Sequence, residues 1–134
     1  MRTETISQQL ESKVLLVEDD RDIREAVRDL LELEGYTVVT AENGREALRI
    51  LSDDFAPKVI LLDFLMPVMN GIEFLNEKRK REKISKIPVI LLSASNKAFR
   101  EIKDADLLSS EVCVLAKPLE IEGLIEAVRQ RAGA

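Results

Sequence analysis

The sequence predicts an α/β domain built around a parallel sheet. Three observations carry that expectation. Apolar runs too short for helices recur along the chain, at residues 14–17, 36–40, 58–62, 88–92 and 112–116, and they are rich in the β-branched residues of strands buried on both faces. Between them lie longer segments whose apolar residues repeat at helical spacing, so strands and helices alternate. Four of the runs stop at charged or hydroxyl side chains: Glu18-Asp19-Asp20, Asp63, Ser93 and Lys117. A parallel sheet collects such residues at the carboxyl ends of its strands, near the switch in winding direction.

Residues 1–12 are polar and aperiodic and read as a flexible lead-in, with room for one turn of helix near Ile6 to Leu10. Val14-Leu15-Leu16-Val17 is the first strand. The helix after it places Ile23, Val27, Leu30 and Leu31 on one face, with Asp20 or Asp22 as N-cap. Gly35 suits a left-handed position just past its end. Tyr36 to Thr40 is the second strand, and Glu42-Asn43-Gly44 turns into a helix burying Ala47, Leu48 and Leu51. Pro57 precedes the central strand, which ends at Asp63 and continues into a proline-containing loop closed by Asn70-Gly71.

The third helix uses Ile72, Phe74 and Leu75, then runs out through Lys78-Arg79-Lys80-Arg81. Cations at a helix C-terminus complement its dipole, so this cluster is expected in solvent. Residues 88–92 form the fourth strand, ended by Ser93-Ala94-Ser95, and a helix follows over about 98–108. The fifth strand, 112–116, ends at Lys117-Pro118. Ile121, Leu124, Ile125 and Val128 define the inward face of the last helix by their i, i+3, i+4, i+7 spacing.

Composition narrows the function. The 134 residues suit one domain, and a net charge of −5 with few aromatics argues against direct nucleic-acid binding. The chain has no histidine, which excludes a histidine triad or metal site on it. One cysteine, Cys113, permits no internal disulfide and fits a reducing compartment, where it reads as a small core residue. No run approaches membrane-spanning length and the N-terminus is no signal peptide. The expectation is a cytoplasmic protein with no membrane partner.

Carboxylates brought together repel unless a cation joins them. A hard divalent ion with oxygen ligands does so, and magnesium is the usual choice beside phosphate. Asp19 and Asp63 are the expected direct ligands, Glu18 a ligand through water, and the Leu65 backbone carbonyl the candidate to complete the set. Lys117 offers a positive point charge and Ser93 a hydroxyl for phosphoryl oxygens. Asp63 is then the nucleophile of a phosphoryl transfer governed by positioning and electrostatics.

Val17-Glu18-Asp19-Asp20, the loop from Leu62-Asp63 through Met66-Pro67 to Asn70-Gly71, Ser93-Ala94 and Lys117-Pro118 together resemble the receiver domain of bacterial response regulators. The resemblance runs from about Lys13 to Arg131, in the same order and approximate spacing, and sets an expected receiver domain over residues 13–132 after a lead-in of 1–12. It implies a doubly wound, flavodoxin-like fold with strand order 2-1-3-4-5. It also implies magnesium-dependent phosphorylation of Asp63, with manganese as a substitute. The donor would be a sensor histidine kinase or histidine phosphotransfer protein, and a phosphorylation-dependent homodimer is left open. The family's aromatic residue three positions before the lysine is Val114 here, so an output through the loop after Ser93, without aromatic coupling, is expected.

Three rivals fit less well. A dehalogenase-type phosphatase wants a second Asp two residues beyond the nucleophile, where this chain has Leu65. A nucleotide carrier of similar topology would place donors, not Glu18-Asp19-Asp20, after the first strand. A scaffold that is never phosphorylated would lack part of the constellation that this sequence keeps. Whether the chain is a whole single-domain regulator or a piece of a longer one stays open.

Overall fold

The computed structural model describes residues 12–52, 55–64, 66, 68–93, 97–107, 109, 111–116 and 120–132. Ten elements alternate: β1 (Lys13–Val17), α1 (Arg21–Leu33), β2 (Thr37–Ala41), α2 (Gly44–Ser52), β3 (Val59–Asp63), α3 (Gly71–Lys80), β4 (Val89–Ser93), α4 (Lys97–Asp104), β5 (Val112–Ala116) and α5 (Ile121–Ala132). All strand pairs are parallel and the sheet order is β2-β1-β3-β4-β5. The expected doubly wound, flavodoxin-like architecture is therefore present. The expected lead-in lies outside the described residues except for Ser12, which is buried and accepts the Thr37 N–H through its carbonyl at 3.2 Å.

The central strands alternate apolar side chains between two cores. Leu15, Val17, Ile60, Leu62 and Leu91 face one side, where Ala47, Leu48 and Leu51 of α2, Phe74 and Leu75 of α3 and Ile102 of α4 cover them. Leu16, Leu61, Ile90 and Leu92 face the other, covered by Leu31 of α1 and Leu124, Ala127 and Val128 of α5. Each fully buried side chain of this size contributes roughly 1.5–3 kcal/mol of transfer free energy. β1, β3 and β4 lie inside the sheet with neighbours on both sides, which accounts for their unbroken apolar sequences.

Local signals act as the sequence suggests. Asp20, not Asp22, caps α1, its Oδ1 accepting the Ile23 N–H at 3.1 Å. Gly35 follows the end of α1 with φ 97°, the left-handed conformation a glycine adopts without strain. Cys113 is half-buried against the second core.

Two apolar expectations fail at helix starts. Ile23 is 43% exposed and Ile121 is 60% exposed. Both sit in the first turn of their helices, at the sheet's carboxyl rim, where the chain has just left a strand and no layer covers it. One basic expectation also fails: Lys78 is buried, at 4% exposure, while Arg79, Lys80 and Arg81 stay in solvent. Lys78 shares the inward stripe of α3 with Gly71, Phe74 and Leu75, and its ammonium reaches the Ser85 carbonyl at 2.9 Å.

Candidate functional site

The site is assembled at the carboxyl ends of β1, β3 and β4. Parallel register aligns Val17 with Leu62, so Glu18 and Asp63 are the next residues along adjacent strands. Asp63 in turn pairs with Leu92, which sets Ser93 one step beyond it on β4. The main chain continues the ladder at this edge: the Glu18 N–H donates to the Ala41 carbonyl at 3.0 Å and the Phe64 N–H to the Leu92 carbonyl at 3.0 Å. Three residues far apart in sequence are thus held by sheet hydrogen bonds, not by loops.

One carboxylate oxygen from each of Glu18, Asp19 and Asp63 lies within 4.8 Å of the others. Glu18 is 2% exposed and Asp63 8%, while Asp19 opens to solvent. Among the described residues Oε1 of Glu18, a buried oxygen, has no hydrogen-bond donor. Its Oε2 accepts a long bond, 3.3 Å, from the Asp20 N–H. Burial, reinforced by the adjacent Asp63 charge, pushes the Glu18 carboxyl up to about 7. A buried acceptor without a donor, among like charges, is costly for an empty protein. It is also the donor set that a hard divalent cation needs: oxygens only, few in number, and one side open to water.

The surrounding chain fixes this geometry through residues that the motifs alone do not reveal. Arg24 of α1 reaches back to the Glu18 carbonyl at 2.8 Å and the Asp19 carbonyl at 3.5 Å, tying the acidic loop to the helix that follows it. Its position one turn into α1 carries no sequence signal of that role. The loop after Asp63 is closed by the Gly71 N–H on the Phe64 carbonyl, 3.0 Å. A Cβ at Gly71 would lie 2.8 Å from Phe64 Cδ1, so the close approach requires glycine. Asn70 and Glu73 form a reciprocal capping box at the start of α3, with bonds of 3.0 and 3.1 Å. The Asn-x-x-Glu spacing of residues 70–73 could have announced it. Val68, in the same loop, takes φ 71°, an uncommon conformation for a β-branched residue.

Ser93 is buried at the site's edge, and Ala116 pairs with it across β4 and β5. Lys117 follows Ala116 directly, but Lys117 and the Leu65 carbonyl lie outside the described residues. Val114, which stands where an aromatic was anticipated, is half-buried and packs against the first core.

A family model, the response regulator receiver domain, matches residues 14–129. A CpxR homolog described as a transcriptional regulatory protein, from Haemophilus influenzae, is 42% identical over 118 residues, covering 88% of this chain and 49% of its own length. The chain therefore spans about half the length of the curated relatives it matches. Among solved structures, the chemotaxis protein CheY4 of Vibrio cholerae aligns with TM-score 0.77 at 33% identity, over 90% of this chain and 98% of that one. The receiver domain of the sensor histidine kinase PA1611 from Pseudomonas aeruginosa, with magnesium coordinated in its active site cleft, aligns with TM-score 0.77 at 25% identity, over 92% of this chain and 98% of that one. Fold, site geometry and matched sequence agree: the chain belongs to the response regulator receiver family of two-component signalling systems.

Proposed function

We propose that Asp63 accepts a phosphoryl group from a phosphohistidine on a sensor histidine kinase or histidine phosphotransfer protein. The observation that carries this reading is the carboxylate cluster at the strand ends, with a buried Glu18 oxygen that has no donor among the described residues. The 134 residues contain no histidine, so the donor imidazole lies outside them. A carboxylate oxygen of Asp63 attacks phosphorus in line with the departing nitrogen. The P–N bond breaks, its electron pair returns to the donor ring, and an aspartyl phosphate results.

Asp19 and Asp63 are the ligands we assign to magnesium, or to manganese in its place, with Glu18 holding a coordinated water and the Leu65 carbonyl completing the set. When bound, the cation supplies charge neutralisation for the phosphoryl oxygens. Ser93 donates its hydroxyl to one phosphoryl oxygen and Lys117 its charge to another. Arg24 and the Gly71–Phe64 closure hold the two acidic loops in register while charge is redistributed. The state change then leaves through the loop after Ser93 and α4, because Val114 packs in the core and offers no ring to reorient. No helix among the described residues is long and apolar enough to cross a membrane, and the acidic chain fits a reducing, cytoplasmic setting.

The test is intact mass after incubation with acetyl phosphate or phosphoramidate and, separately, with phosphorylated candidate kinases. A gain of one phosphoryl group with magnesium, abolished by EDTA, is expected. A chain that takes no phosphoryl group from small donors or any kinase would overturn the proposal and leave a protein-binding scaffold.

A further inference from the structure

The molecule buries a second charge at the opposite pole of the sheet. Lys78 of α3 is 4% exposed, and it lines a cleft of about 310 Å³ between α3, the segment leading to β4 and the segment leading to β5. Its Nζ donates to the Ser85 carbonyl at 2.9 Å. An ammonium carries three N–H groups. Among the described residues the Ser85 carbonyl is the one hydrogen-bond acceptor the structure gives Lys78. Burying the remaining donors is unfavourable.

The charged groups around this nitrogen are Arg79, Lys86, Asp106 and Glu111. Arg79 donates to the Asp106 carbonyl at 3.1 Å and to Asn76 Oδ1 at 3.3 Å, both neutral acceptors. Glu111 faces both Lys78 and Lys86 and is held by the Ser109 hydroxyl.

We propose that Lys78 is a site of reversible N-carboxylation by carbon dioxide. The lone pair of the neutral amine forms a bond to the carbon of CO2, one C–O π pair moves onto oxygen, and the nitrogen releases one proton to solvent. The product is a carbamate anion. Three features of the cleft favour that product. A carbamate nitrogen keeps one hydrogen, the number that the Ser85 carbonyl accepts. The new carboxylate enters a cleft whose lining includes Arg79 and Lys86, which offset the charges of Asp106 and Glu111. Carbon dioxide is small and uncharged, so it reaches a nitrogen that bulkier electrophiles do not. Burial also pushes the Lys78 ammonium down to about 8 against the pull of Glu111, which supplies the neutral nucleophile close to physiological pH.

The test uses protein with 15N-labelled lysine, equilibrated with 13C-bicarbonate at about pH 8 and constant ionic strength. Carbamates are read as correlated 13C–15N signals. One dominant lysine carbamate is expected, at least about tenfold more populated than that of any other lysine. The N-terminal amine also reacts but carries no label unless it is lysine. Lys78→Met and Lys78→Arg should both abolish the dominant signal while leaving phosphorylation of Asp63 unchanged. Should either variant fail to fold, correlation from the labelled nitrogen through the Lys78 side chain assigns the signal in the unaltered protein. No lysine carbamate, one spread evenly over the lysines, or one assigned to another residue would overturn the proposal.

Discussion

The two ends of the same five strands bury opposite charges on different terms. At the carboxyl end, Glu18, Asp19 and Asp63 crowd together, and a buried Glu18 oxygen has no donor among the described residues. At the amino end, the buried Lys78 ammonium reaches the Ser85 carbonyl, with Glu111 nearby. The acidic pole is held by the hydrogen-bonded ladder of β1, β3 and β4. The basic pole is held by one helix face and two connecting segments. The first arrangement is unfavourable without a ligand and fixed by the sheet, as the proposed phosphoryl transfer requires. The second buries a single charge that has one hydrogen-bond acceptor among the described residues.

The contrast breaks most completely at Asp63. Asp63→Asn should abolish phosphoryl acceptance, read as intact mass, whereas Lys78→Met should leave it intact. A divalent ion should sharpen the contrast next. At one hundred times its dissociation constant, magnesium should stabilise the fold by about 2.7 kcal/mol, and Glu18→Gln should reduce that gain in a thermal melt.

The same substitution tests the pH dependence. Without metal, the folded chain keeps a proton on Glu18 from the ordinary value of 4.5 up to about 7, where the unfolded chain has released it. Stability therefore falls as pH rises through that window. Glu18→Gln should flatten the fall, and magnesium should reverse it by favouring the ionised carboxylate.

Gly71→Ala comes third. Its Cβ must push against Phe64 and Leu91, at a cost of about 1–3 kcal/mol, and the loop that follows Asp63 should move with Phe64. Denaturant melts and magnesium titration together would show whether stability and ion affinity fall in step.

The smallest effect belongs to the basic pole. Lys78 titrates near 8 when folded, against an ordinary value of 10.5. In the window between those values the unfolded chain holds the extra proton, so the unaltered protein gains stability as pH rises. Relative to Lys78→Met, its melting temperature should climb between about pH 8 and 10.5. A pH-independent difference would mean the burial of this charge has been misjudged.

Much of this was legible in the sequence because each signal had a single physical meaning. Unbroken apolar runs mark strands covered on both faces, and their ends list the site: Glu18, Asp19, Asp63 and Ser93 do meet at one edge. What escaped depends on where a helix sits relative to the sheet. Ile23 and Ile121 have the right periodicity, but their turns project past the last covered layer, which periodicity does not encode. Lys78 was hidden in a basic run. Its phase, i+7 from Gly71, i+4 from Phe74 and i+3 from Leu75, puts it on the buried stripe, and phase outweighs charge when a carbonyl can receive the ammonium. Arg24 was invisible for a different reason. Its bonds go to main-chain carbonyls, and those positions exist only once the chain has folded.

The account rests on Asp63 being the acceptor, so the deciding measurement locates the phosphoryl group itself. Protein phosphorylated in magnesium would be treated with borohydride, which reduces an acyl phosphate to the alcohol, and then sequenced by tandem mass spectrometry. The prediction is homoserine at position 63 and unaltered Asp19, Asp20 and Glu18. Reduction at one of those neighbours, or a borohydride-resistant phosphoryl group on Ser93, would contradict the assignment of the site.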